Sequence, residues 1–200
     1  MARIKRTESD EIRGRLLEIG LKTFASCGYH GTGIKEIVDG AGVPKGSFYN
    51  YFKSKEEFGI GVIRCHSQEF WETWTVCFDP EGADPLAALL DCFDRMITEH
   101  AECAVHSCSI VGNLAAELSV QSLPCQKMLL TVIDEWVANL AAQLLRAQEQ
   151  GLARTDLSAK ELATLFWDTW HGALHRVKIV SSTEPLRQSV TLFLQKMIRD

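Results

Sequence analysis

Between Gly40 and Pro44 the chain is forced to turn. The apolar run Ile34, Ile37, Val38 and Ala41 repeats at helical spacing and stops at Gly40-Ala41-Gly42. Pro44, which needs no amide donor in a first helical turn, then opens a new segment. In that segment Phe48, Tyr51 and Phe52 stand at i, i+3 and i+4, so a helix gathers them into one apolar stripe and leaves Tyr49 and Asn50 on the other side with Lys45, Gly46 and Ser47. A strand would need alternation, and Phe48-Tyr49-Asn50-Tyr51-Phe52 does not alternate. Two short helices joined by a tight glycine turn make a helix-turn-helix.

Helical periodicity with plausible stops recurs along the rest of the chain, and strand signals are nearly absent, so the predicted class is all-α. Thr7 and Ser9 suit the cap of a first helix in which Ile12, Leu16, Leu17, Gly20 and Phe24 share a face, ending at Cys27-Gly28. Thr32 is the expected cap of the second helix. Ser54, with Glu57 three residues on, forms a capping-box pattern for a fourth helix reaching about Phe78. Further helices are predicted near 84–101, 108–119, 123–150, 158–180 and 184–199. The expected organisation is a three-helix head, residues 1–53, and a larger helical body, residues 54–200.

A second helix of this kind is narrow enough for the roughly 12 Å major groove, with its first residues toward base edges. Lys45 suits guanine or phosphate, Gly46 permits close approach, Ser47 is an adaptable partner, and Tyr49 offers a hydroxyl to phosphate. Lys53 and Lys55 suit the backbone beside the next helix start. The same pattern also fits the amphipathic rim of a helical bundle that never meets DNA. Charge gives modest help: residues 1–60 carry 10 basic and 8 acidic side chains, whereas the whole chain carries 21 and 26.

The stretch from Gly28 to Phe58 resembles the DNA-binding head of the TetR family of bacterial transcriptional repressors. Gly28-Tyr29, Thr32, Ile34, Ile37, Ala41-Gly42-Val43, Lys45-Gly46-Ser47, Tyr49, Tyr51-Phe52 and Lys53-Ser54-Lys55-Glu56 carry the resemblance. Gly33 departs from it, since the family usually has a small hydroxyl residue there. The resemblance implies DNA contacts from Thr32, Lys45, Gly46, Ser47, Tyr49, Asn50 and Lys55. It also implies a homodimer, formed by the last two helices, on an inverted-repeat double-stranded DNA operator. Leu162, Leu165, Phe166, Thr169 and Ala173, then Leu186, Val190, Phe193 and Met197, supply stripes suited to the dimer contact.

The body resembles, more weakly, an electrophile- and hypochlorite-sensing member of that family. Ser107-Cys108, Leu114-Ala115-Ala116-Glu117, and Lys178 with Glu184-Pro185-Leu186 carry this likeness, although Ser107 stands where that member has glycine. The likeness matches its sensing cysteine and lysine to Cys108 and Lys178. A thiol at a helix start beside an ammonium is activated as thiolate. Cys103 is a candidate resolving thiol. Inert packing is the competing reading for any of the seven cysteines, which form no CxxC pair and are expected to be reduced.

Five tryptophans, among them Trp71, suit the core, and some of Trp74, Phe93, Trp136, Trp167, Trp170 and His171 suit a pocket for a flat or apolar inducer. Asp168, His171 and His175 share a helical face, yet no fourth ligand stands near and no metal is expected. No cofactor is expected either. An enzyme using Cys108 as nucleophile is a rival reading, but His106 alone supplies no base-plus-orienter set. With no run of roughly eighteen apolar residues and no apolar leader after Met1, no membrane partner is expected and the chain is read as cytoplasmic.

Overall fold

The computed structural model describes residues 8–77, 84–102 and 110–199, and these are helical with no strand among them. Cys103, His106, Ser107 and Cys108 lie outside the described residues, as do Thr7 and Phe78. The helices are α1 (Glu8–Gly31), α2 (Ile34–Ala41), α3 (Phe48–Tyr51), α4 (Lys55–Cys77), α5 (Pro85–Glu102), α6 (Ile110–Leu118), α7 (Leu123–Glu149), α8 (Ala159–Val180) and α9 (Glu184–Thr191). A 3-10 turn, Lys45–Ser47, precedes α3, and a π-helical stretch, Leu192–Met197, continues α9.

The chain packs as two compact units, Met1–Ser67 with Ile110–Leu129, and Gln68–Ser109 with Leu130–Asp200. α4 and α7 each begin in the first unit and end in the second. The head therefore does not pack by itself: α6 and the opening turns of α4 and α7 complete its core.

In the first unit Phe24, Phe48, Phe52 and Phe58 are buried. Phe58 is the hub, with ring centroids 5.7 Å from Phe24, 5.4 Å from Phe48 and 4.9 Å from Phe52. One α4 residue thus joins α1 to the aromatic stripe of α3. α2 ends at Gly42, whose φ of 67° belongs to the left-handed region that glycine occupies without strain. The amides of Gly42 and Val43 then reach the Asp39 and Val38 carbonyls at 3.2 and 3.0 Å, closing the helix end.

The second unit is built on aromatic rings. Phe93 of α5 lies 4.8 Å from Phe166 and 5.2 Å from Trp170 of α8, and Phe166 in turn lies 4.7 Å from Phe193. This corrects the stripe assigned to the dimer contact. Leu162, Phe166, Ala173, Leu186, Val190 and Phe193 are buried within the chain. Leu165 and Met197 are 40% and 39% exposed. An apolar stripe must be covered, and here its own unit covers most of it.

α8 opens with a complete capping box: the Ser158 hydroxyl accepts from the Glu161 amide at 3.2 Å, and the Glu161 carboxylate accepts from the Ser158 amide at 2.8 Å. Replacing Ser158 by Ala removes this cap and is expected to lower the melting temperature by about 2–4 °C in a calorimetric scan.

Candidate nucleic-acid interface

The turn and α3 present two faces. Phe48 and Phe52 are 0% and 2% exposed, whereas Tyr49 is 56% exposed and Asn50, Lys45 and Gly46 are exposed beside it. Ser47 and Tyr51 are half-buried. Beyond its chain neighbours and the backbone of its own turn, nothing lies within 4 Å of where a Cβ on Gly46 would stand, so the backbone there is open to a close ligand. Burial of the two phenylalanines fixes the helix about its axis and so decides which polar groups face outward.

Two of the predicted contacts are used inside the head. Thr32 is 1% exposed, and its hydroxyl donates to the Gly28 carbonyl at 2.8 Å, with the Thr23 carbonyl at 3.3 Å. It does not cap α2, whose N-cap is the extended Gly33 without a side-chain bond. The expectation that Thr32 contacts DNA is corrected on this geometry, because its side chain has no path to the surface. Lys55 is half-buried; its ammonium donates to the Tyr29 carbonyl and sits 4.3 Å from the Tyr29 ring centroid. Burial lowers the Lys55 pKa, and the Glu117 carboxylate pulls it the other way. Lys53, by contrast, is exposed.

These bonds converge on a break in α1. Gly28 has φ 73° and ψ 176°, a conformation essentially restricted to glycine. The break frees the amides of Tyr29 and His30, and both donate to the Glu117 carboxylate of α6, at 3.1 and 2.7 Å. One turn earlier on α6, Asn113 donates to the Ala25 carbonyl at 3.4 Å. A carboxylate accepting two amides makes charge-assisted bonds, so Glu117 is a strong tie between α6 and the head. No site role follows for Glu117 from the sequence alone. Its signal is faint but present: Asn113 and Glu117 stand four apart, polar on one face of an otherwise apolar IVGNLAAEL.

In the second unit the pocket candidates do come together. Trp74 lies 6.3 Å from Phe93, Phe93 6.4 Å from Trp136, Trp136 4.9 Å from Trp167, and Trp167 3.7 Å from His171. Trp74, Phe93, Trp136, Trp167 and Trp170 are all buried and His171 is half-buried. Lys178 is half-buried on α8, while the cysteine matched to it lies outside the described residues. Of the five described cysteines, Cys92 and Cys125 are buried, Cys65 and Cys77 intermediate and Cys27 exposed, so core filling accounts for only part of the set. Among the described residues, no group of three or more His, Cys, Asp or Glu is placed to hold a metal ion.

Comparison with known proteins points one way. Residues 16–58 match the profile of the bacterial regulatory proteins of the tetR family, and residues 83–193 match that of the tetracyclin repressor-like C-terminal domain. The HTH-type transcriptional repressor DhaR of Mycobacterium sp. (strain GP1) is 32% identical, over 94% of this chain and 92% of DhaR. The HTH-type transcriptional repressor NemR of Escherichia coli is 28% identical over 93% of each chain, and the crystal structure of its reduced form superposes with a TM-score of 0.82. The crystal structure of regulatory protein TetR from Rhodobacter sphaeroides gives a TM-score of 0.86 at 29% identity, covering 92% of this chain and 97% of that one.

Proposed function

The chain belongs to the TetR family of bacterial transcriptional regulators, and from that premise we propose that it acts as a cytoplasmic homodimeric repressor whose two heads grip an inverted-repeat operator. The observation that carries this reading is the exposed edge formed by Lys45, Gly46, Tyr49 and Asn50 over a fully buried aromatic base. Ser47 lies beside them, half-buried. Lys53, and the ammonium donors of Lys55 left over from Tyr29, meet phosphates.

The dimer forms through the outer faces of α8 and the α9 region. Leu165, Ile179 and Leu192 are 40%, 81% and 50% exposed, and open space surrounds Gly172 between the first two on α8. A two-fold axis there places the recognition helices about 34 Å apart, one turn of DNA. A signal needs to shift that arrangement by only ~1–3 kcal/mol to lower affinity roughly 5–150-fold.

Two signals fit. The aromatic cluster of Trp74, Phe93, Trp136, Trp167, Trp170 and His171 suits a flat or apolar inducer bound without covalent change. The likeness to NemR in the Cys108 and Lys178 regions favours a thiol signal as well, with Cys108 modified by an electrophile or oxidant. Treating the protein with a maleimide or hypochlorite is expected to release DNA in the natural chain and not in Cys108→Ser. Equal release in both assigns the signal elsewhere.

A further inference from the structure

A second pair of thiols lies apart from Cys108 and from the DNA-facing edge. Cys77 is the last residue of α4 and Cys92 lies on α5, both in the second unit. The Cys77 side chain lies close enough to Cys92 to bear on its ionisation, and both thiols are free. The helix register agrees: Trp74, one turn before Cys77, packs edge-on against Phe93, the neighbour of Cys92, with ring centroids 6.3 Å apart. The two sulfurs differ in access. Cys92 is 0% exposed, whereas Cys77 is of intermediate exposure.

We propose that Cys77 and Cys92 form a redox-active pair, in which a hydroperoxide oxidises Cys77 and Cys92 resolves the product as an intrachain disulfide. The Cys77 thiolate attacks the terminal peroxide oxygen; an S–O bond forms, the O–O bond breaks, and the departing oxygen takes a proton and leaves as alcohol or water. The Cys92 sulfur then attacks the sulfenic sulfur. An S–S bond forms, the S–O bond breaks, and the leaving hydroxide takes the Cys92 proton to give water. Two thiols lose two electrons and one hydroperoxide gains them.

The asymmetry assigns the order of events. Burial, and then the neighbouring Cys77 side chain, push the Cys92 thiol far above its usual range, so it stays protonated and protected until a sulfenic acid appears beside it. Cys77 has the solvent access that an oxidant needs. The final bond, about 2.05 Å long, joins helices already in contact, and exchange with a thiol reductant reverses it.

The test is peptide mapping of the full chain after one equivalent of hydrogen peroxide and alkylation of the remaining thiols. The expected result is a peptide pair joined through Cys77 and Cys92, with two of the seven cysteines lost to a thiol titration in denaturant and both recovered by dithiothreitol. Cys108→Ser is expected to form the same link, which separates this pair from the proposed sensor. Because Cys92 is a core residue, Cys77→Ser provides a second variant at the more accessible position, and it is expected to abolish the Cys92 cross-link. Alkylation of both Cys77 and Cys92 after peroxide, or a link from Cys77 to any other cysteine, overturns the proposal.

Discussion

Tyr49→Ala is expected to weaken operator binding by roughly 5–150-fold at a fixed salt concentration, the loss of about 1–3 kcal/mol that follows removal of a direct DNA contact. Tyr49 is 56% exposed, and its ring approaches Phe48 edge-on at 5.4 Å. Fold stability should therefore change by no more than about 0.5 kcal/mol, the usual range for a surface substitution. Lys45→Ala is expected to act differently. As a phosphate contact it weakens binding to all sequences alike and reduces the slope of log affinity against log salt by about 1. Titrations at three salt concentrations separate the two behaviours, and unchanged affinity in both variants would remove α3 from the DNA surface.

The second large effect is at the break in α1. In Gly28→Ala the new Cβ would stand 2.3 Å from the Glu117 Oε1, at a φ of 73° that L residues rarely adopt. The backbone strain alone costs about 1–3 kcal/mol. Displacing the Glu117 carboxylate also strands the Tyr29 and His30 amides. The expected result is a melting temperature lower by about 4–10 °C together with loss of DNA binding. Glu117→Gln is the informative companion. It keeps the shape and one acceptor but removes the charge, so it should retain most of the stability while loosening the tie between α6 and the head. Full stability in Gly28→Ala would mean that neither the left-handed backbone nor the Glu117 carboxylate constrains the break.

How much of this was legible in the sequence depended on how local the physics was. Helix ends written in glycine, proline and serine came through: Gly28 breaks α1, Gly42 closes α2, and Ser54 accepts the Glu57 amide at 3.1 Å at the start of α4. Of the expected stripe Phe48, Tyr51 and Phe52, helical spacing accounts for buried Phe48 opposite exposed Tyr49 and Asn50, whereas Tyr51 is only half-buried and Phe52 is buried from extended backbone just after α3.

What sequence could not give was partner identity. Thr32 has the right chemistry for a cap or a phosphate contact, yet the position of the Gly28 carbonyl turns its hydroxyl inward. Glu117 gains its role only when α6 is laid beside the broken end of α1. The stripes of α8 and α9 announce burial without saying against what, and the answer was the aromatic core of their own unit rather than a second chain. The meeting of Cys77 with Cys92 is likewise invisible in spacing, since it arises from packing between α4 and α5.

Everything functional rests on the polar edge of a very short helix entering the major groove. Quantitative mobility shift is the direct measurement, using duplex DNA from upstream of the gene at ~0.15 M salt, with the natural chain and a Lys45→Ala, Tyr49→Ala double variant. Saturable binding by the natural chain to an inverted repeat is expected, at least about a thousandfold tighter than to scrambled DNA, with loss of that preference in the double variant. Equal affinity for both DNAs, or a double variant that binds the repeat as tightly as the natural chain, would contradict that expectation.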